Sequence, residues 1–212
     1  MDPDLIPRLR GVFHLWSFVA SIVAGVVLVV LADGALERFS SWVYAAALVA
    51  MFGASALYHR FPWKSAARRL WARRLDHSMI FVFIAGTYTP FALLRFEDTT
   101  KWLVLVLVWS GAVFGLVLEL IWIDSPRWLS AVAYLAVGWV GVLAIPQMFT
   151  AVGIGGAVLL LVGGGLYTLG ALIYAVKWPN PFPSTLGFHE IFHLFVVVAA
   201  VVQFVAVSLV VM

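Results

Sequence analysis

Hydrophobic positions run unbroken along this chain for longer than one face of a soluble helix or strand requires, and the polar positions collect in short gaps between the runs. A helix crossing the hydrocarbon core of a bilayer needs about 20 mostly apolar residues. The pattern predicts seven such spans: 13–31, 41–58, 78–94, 102–123, 128–145, 156–176 and 188–211. Chain breakers fill the gaps: Asp33-Gly34, Phe61-Pro62, Asp124-Ser125-Pro126, the stretch from Gly153 to Gly156, and Pro179-Asn180-Pro181 with Pro183. Connections this short predict sequential antiparallel neighbours. Between the fifth and sixth spans, Pro146 and the glycines at 153–156 permit a turn or a kink, and a turn is expected. The sixth span carries Leu-Leu-Leu-Val-Gly-Gly-Gly-Leu-Tyr, and small residues let helix backbones approach closely in lipid.

Composition reinforces the pattern. With 64% hydrophobic and only 11% charged residues, and a mean hydropathy of +1.06, the chain lies far from a soluble globular domain. The expected fold is a single-domain, all-α integral membrane bundle of seven transmembrane helices spanning residues 1–212, with almost no soluble part. The first apolar run is long for the core of a cleavable leader and no small-residue cleavage site follows it, so it is expected to be the first helix. Cysteine is absent, which excludes disulfides and limits any metal site to nitrogen and oxygen ligands.

The charges then orient the bundle. Seven spans place Arg8, Arg10, Arg60, Lys64, Arg68, Arg69, Arg73, Arg74, Arg127 and Lys177 on one side and only Arg38, Arg95 and Lys101 on the other. Short loops rich in Lys and Arg stay on the cytoplasmic face, so the expectation is a cell-membrane protein with its amino terminus cytoplasmic and its carboxy terminus outside. The stretch 60–74, with Trp63, Leu70 and Trp71 interleaved, is expected as a short amphipathic helix on anionic headgroups. Because this bias already accounts for the net charge of +3, no nucleic-acid partner is inferred. Tryptophans at 16, 42, 102, 109, 122, 128 and 178 fall mainly near span ends, where an aromatic belt is expected.

Ionisable groups at membrane depth are costly and mark functional sites. Three span ends on the predicted cytoplasmic side hold them: Ser55-Ala-Leu-Tyr-His59, Leu75-Asp76-His77, and His189-Glu190-Ile191-Phe192-His193. The topology rested on Lys and Arg alone, so this convergence is independent of it. Spaced four apart, His189 and His193 share a helix face suited to two ligands of one metal, and Ser55 and His59 share a face likewise. Three neutral imidazoles and a water suit a zinc ion with an open position, whose water Asp76 would hold or deprotonate. His14 and His77 are expected as satisfied polar tips, and Glu119 receives no role. The last motif also satisfies H-E-x-x-H, in which Glu190 would act as general base of a metalloprotease. It opens the last helix with no Asp after it, which disfavours the intramembrane-protease arrangement. A pore ranks lowest, because the charges cluster at span ends rather than lining several spans.

The motifs Ser-Ala-Leu-Tyr-His, Leu-Asp-His-Ser followed by Ile-Ala-Gly-Thr-Tyr-Thr-Pro, and His-Glu-Ile-Phe-His, together with Arg10-Gly11 and His14, resemble the hemolysin III branch of the progestin and adipoQ receptor family. The resemblance runs from near Arg8 to near His193. It implies a receptor-like seven-helix bundle of the adiponectin-receptor type with Zn2+ near the cytoplasmic face. Carried over by motif, His59, His189 and His193 would be the ligands, Asp76 would hold the zinc-bound water, and Ser55 would stand beside it. The wider group includes alkaline ceramidases, so the implied chemistry is hydrolysis of a lipid amide or ester, with membrane lipids as environment and substrate and a role in membrane homeostasis. The alternative is a non-enzymatic homeostasis or receptor-like protein whose zinc is structural.

Overall fold

The computed structural model describes residues 6–212. It is an all-α bundle of seven transmembrane helices: α1 (Val12–Leu31), α2 (Ala35–Arg60), α3 (Ala66–Arg95), α4 (Asp98–Ile121), α5 (Arg127–Gly138), α6 (Ile145–Val176) and α7 (Phe188–Val211). A 3-10 segment (Trp139–Ala144) continues α5. Among the described residues seven helical segments are long and apolar enough to cross a membrane. With no water in hydrocarbon to serve the backbone, helices that satisfy their own hydrogen bonds are the solution such a sequence permits.

Neighbours in sequence pack as neighbours in space, α1 on α2, α2 on α3, α3 on α4, α5 on α6 and α6 on α7. The ring closes because α7 returns to α1, α2 and α3. Helices α2 and α3 are the most buried, while α1, α4, α5 and α6 turn long rows of Val, Leu and Ile outward as a lipid-facing surface. Close helix contacts rest on small residues: a Cβ added at Gly86 would stand 2.6 Å from the Ala47 Cβ, and one at Gly25 2.9 Å from the Ala45 Cβ. Of the triple glycine, only Gly163 is pressed against a neighbour, the Gln203 side chain, while Gly164 and Gly165 meet open space.

Besides the earlier starts of α2 and α4, two regions differ from the sequence expectation. The basic stretch after Pro62 is not a separate surface helix: from Ala66 it forms the first turns of α3, N-capped by Ser65 and continuous to Arg95. Pro146 lies inside helix, and the break falls at Gly153, whose φ of 70° and ψ of 172° suit a residue without a Cβ. Where a turn was expected over 153–156, the chain instead kinks at Gly153 between two helical stretches, because one glycine with left-handed φ redirects the helix without ending it. Before it, α5 loosens into the 3-10 segment where the Tyr88 hydroxyl donates to the Gly138 carbonyl and accepts from the Gly141 N–H at 3.0 Å. Of the expected tryptophan belt, Trp16, Trp42, Trp102, Trp122, Trp128 and Trp178 are exposed, whereas Trp109 lies half-buried in the middle of α4, its Nε1 donating to Thr89 Oγ1 at 3.3 Å.

Candidate metal centre

The candidate site residues meet where one end of α2 and the start of α7 flank α3. His59 lies in the last turn of α2, one turn beyond Ser55, and His189 opens α7 one turn before His193. On α3, Asp76 is buried, as are Ser55 and His193. The Nε2 atoms of His59 and His189 are 3.2 Å apart, and one ligand atom from each of His59, His189 and His193 lies within 4.8 Å of the others. Asp76 Oδ2 stands 3.5 Å from His59 Nε2. These three histidines could hold one metal ion, with a carboxylate beside it. The sequence-predicted residues His59, Asp76, His189, His193 and Ser55 are therefore brought together at one end of the bundle.

His14 belongs here too, against the expectation of an isolated polar tip. Its ring stacks on His193 at 3.8 Å between centroids with a 10° interplanar angle, and its Nδ1 is 2.7 Å from Ser55 Oγ. The signal available in the sequence was its company: a histidine in the first turn of an apolar helix, three residues after Gly11. Gly11 sits at φ 73°, and a Cβ there would collide with the Cβ of His59. The amino-terminal segment is thereby laid directly on the α2 histidine. Two buried ring atoms in this cluster, His14 Nε2 and His193 Nδ1, have no hydrogen-bond partner in the protein, which is unusual for buried nitrogen.

Glu190 is engaged elsewhere. Its Oε1 pairs with the Arg10 guanidinium, and its Oε2 accepts the Gly187 N–H at 2.8 Å, closing the start of α7. Further backbone bonds, Arg8 N–H to the Ser184 carbonyl at 3.0 Å and Leu9 N–H to that of Thr185 at 3.2 Å, fasten the amino-terminal segment over the α6–α7 connection. His77, although next to Asp76, faces away from the cluster toward Glu119, with Nδ1 3.3 Å from Oε2.

Behind the cluster runs a cavity of about 170 Å³. Its polar end is formed by His14, Ser55, Asp76, His189 and His193, and it continues between apolar walls such as Phe83, Leu160 and Val196 to Phe96 and Met148 near the opposite end. The cavity volume and its lining were not readable from sequence, because its wall residues come from six helices and the 3-10 segment.

A membrane bundle of seven helices with a histidine cluster at one end, fastened by its amino-terminal segment, is the class that fold and site define. The chain matches the Haemolysin-III related family over residues 6–204 and belongs to that family. It is 32% identical over 198 residues to the Hemolysin-3 homolog of Bacillus subtilis (strain 168), covering 92% of this chain and 89% of that one. It is 34% identical over 131 residues to Hemolysin-3 of Bacillus cereus, covering 61% of this chain and 57% of that one. The human Monocyte to macrophage differentiation factor is 27% identical over 201 residues, 92% of this chain and 79% of that one. The resemblance read from the sequence motifs is thus borne out.

Proposed function

We propose that this protein is a zinc-dependent hydrolase of a lipid amide or ester, acting at the cytoplasmic face of the cell membrane. The observation that carries the reading is the set of three imidazoles with a carboxylate beside them at the mouth of an apolar cavity. Two nitrogens bound at 2.0–2.1 Å to a tetrahedral zinc ion lie about 3.3 Å apart, close to the 3.2 Å between His59 and His189. The all-imidazole donor set and the absence of sulfur in the cluster suit the same ion.

When bound there, zinc supplies Lewis-acid polarisation and lowers the pKa of water. The chain's own residues supply the rest. Asp76 accepts a proton from the water that attacks the carbonyl carbon, and returns it to the leaving nitrogen or oxygen as the C–N or C–O bond breaks. Ser55, oriented by His14, donates to the oxygen that gains negative charge. The apolar walls receive the acyl chain, and Glu190, tied to Arg10, takes no part in proton transfer.

The test is fatty-acid release from a panel of ceramides and phospholipids by purified protein of known metal content. Release that follows zinc content supports the hydrolase; a zinc-loaded protein that releases nothing from the panel overturns it. One observation favours a second reading, a homeostasis protein with structural zinc: the amino-terminal segment is clamped across the α2–α7 junction by the Arg10–Glu190 pair. In that case chelation unfolds the bundle without any turnover having been present. The orientation is supported by ten basic residues against three. A carboxy-terminal reporter active only in the cytoplasm would overturn it.

A further inference from the structure

Deep in the cavity, away from its histidine end, two side chains break a rule that the neighbouring hydroxyls keep. The Thr87 hydroxyl donates to the Phe83 carbonyl at 2.8 Å, the Thr168 hydroxyl to that of Gly164 at 2.8 Å, and the Tyr88 hydroxyl to that of Gly138. The Tyr167 hydroxyl and Gln203 Oε1, both buried and both on residues lining the cavity, have no partner. Gln203 is only 6% exposed, and its amide is oriented because Nε2 donates to the Leu160 carbonyl at 3.3 Å, which leaves the oxygen as the free end. A third buried hydroxyl without a partner, that of Tyr44, belongs to the same aromatic cluster, with Tyr44 tilted against Phe83 at 6.2 Å and Tyr167 edge-to-face with it at 6.3 Å between centroids. Leaving buried polar groups unpaired in an apolar interior is expensive, and more so at membrane depth.

We propose that this wall is a recognition subsite for a hydroxyl group carried part-way along an acyl chain. The proposal rests on the reading above that the cavity receives an acyl chain. A hydroxyl donates and accepts at once, so on an acyl chain it is a group that can accept from the Tyr167 hydroxyl and donate to Gln203 Oε1. A carbonyl would serve only the first, and a plain methylene neither. The position along the chain follows from α7. Gln203 is ten residues beyond His193, about 15 Å at 1.5 Å per residue. An extended chain of 1.5 Å bonds advances roughly 1.3 Å per carbon, reaching that depth near its twelfth carbon.

The experiment is competition binding to the purified, zinc-loaded full chain, with a fluorescent fatty acid displaced by octadecanoic, 2-hydroxyoctadecanoic or 12-hydroxyoctadecanoic acid. The 12-hydroxy acid is expected to bind about tenfold tighter than the other two. Tyr167→Phe and Gln203→Leu should each erase that preference, so that the variant binds the 12-hydroxy acid no tighter than octadecanoic acid. Tyr167→Phe removes a single oxygen, so it decides the matter even if Gln203→Leu fails to fold. Equal affinity for all three acids, or a preference that survives in Tyr167→Phe, overturns the subsite and leaves the acyl-chain cavity standing. Displacement by none of them overturns both.

Discussion

Two buried polar clusters lie side by side, built from the same kinds of residue, and they differ in how their hydrogen bonds close. Around Glu119, which is fully buried, every group has a partner: Ser130 donates to Oε1 at 2.9 Å, the Tyr134 hydroxyl to the same oxygen at 3.4 Å, and His77 Nδ1 faces Oε2 at 3.3 Å. Around His59, three imidazoles face one another, and His14 Nε2 and His193 Nδ1 are left without protein partners. Asp76 and His77 are consecutive on α3, yet about 100° apart around a helix of 3.6 residues per turn, so each serves a different cluster. A closed network ties α3, α4 and α5 together; an open one leaves ring nitrogens that could hold a metal ion.

The contrast breaks most sharply on metal. His193→Ala should reduce bound zinc at least about 100-fold and abolish turnover, whereas Glu119→Ala should leave metal content unchanged, as elemental analysis of the two purified variants would read. Full metal in His59→Ala, His189→Ala and His193→Ala alike would show that the open cluster is not a metal site.

Asp76→Asn should lower hydrolysis by about 10²–10⁴-fold with most zinc retained, because the imidazoles still ligate while the proton acceptor is lost. Measured on the same substrate, near-full turnover in this variant together with an inactive Glu190→Gln would move the base to Glu190 and favour the protease chemistry.

Smaller effects concern stability. Glu119→Ala should cost about 2–3 kcal/mol, since it strands Ser130, Tyr134 and His77 in a buried site, and thermal unfolding in detergent would show it. Glu190→Gln should cost about 1–2 kcal/mol through the Arg10 pair and the α7 start, with turnover within a few-fold of the parent. Gly11→Ala combines a left-handed backbone with a collision at His59. Its expected cost is likewise about 1–2 kcal/mol, with weakened metal binding as the sign that the strain reaches the centre.

Much of the site was legible because its residues break an apolar background. In a chain with 11% charged residues, His189 and His193 four apart on one helix, and Ser55 and His59 likewise, are conspicuous, and the Lys and Arg bias put all three span ends on one side before any contact was known. His14 escaped because a single histidine at a helix start has no periodic partner, and only stacking on His193 across the bundle gives it a place. His77 is the satisfied polar group that was expected, its Nδ1 3.3 Å from Glu119 Oε2; its direction, away from Asp76's cluster, was set by the rotation of α3.

By itself, the sequence determined that the chain is a helical membrane bundle, where the spans run, and which side chains are too costly to be incidental, because lipid forbids unsatisfied backbone and penalises charge everywhere along the chain. Tertiary structure alone decided which of those polar groups satisfy one another. The pairing of Glu190 with Arg10, the closing of Glu119 on Ser130, and the unpartnered oxygens of Tyr167 and Gln203 depend on the packing of helices far apart in sequence. Hydrophobicity is a property of each residue and can be read along the chain, whereas a hydrogen bond is a property of two atoms and exists only once the fold has brought them within about 3 Å.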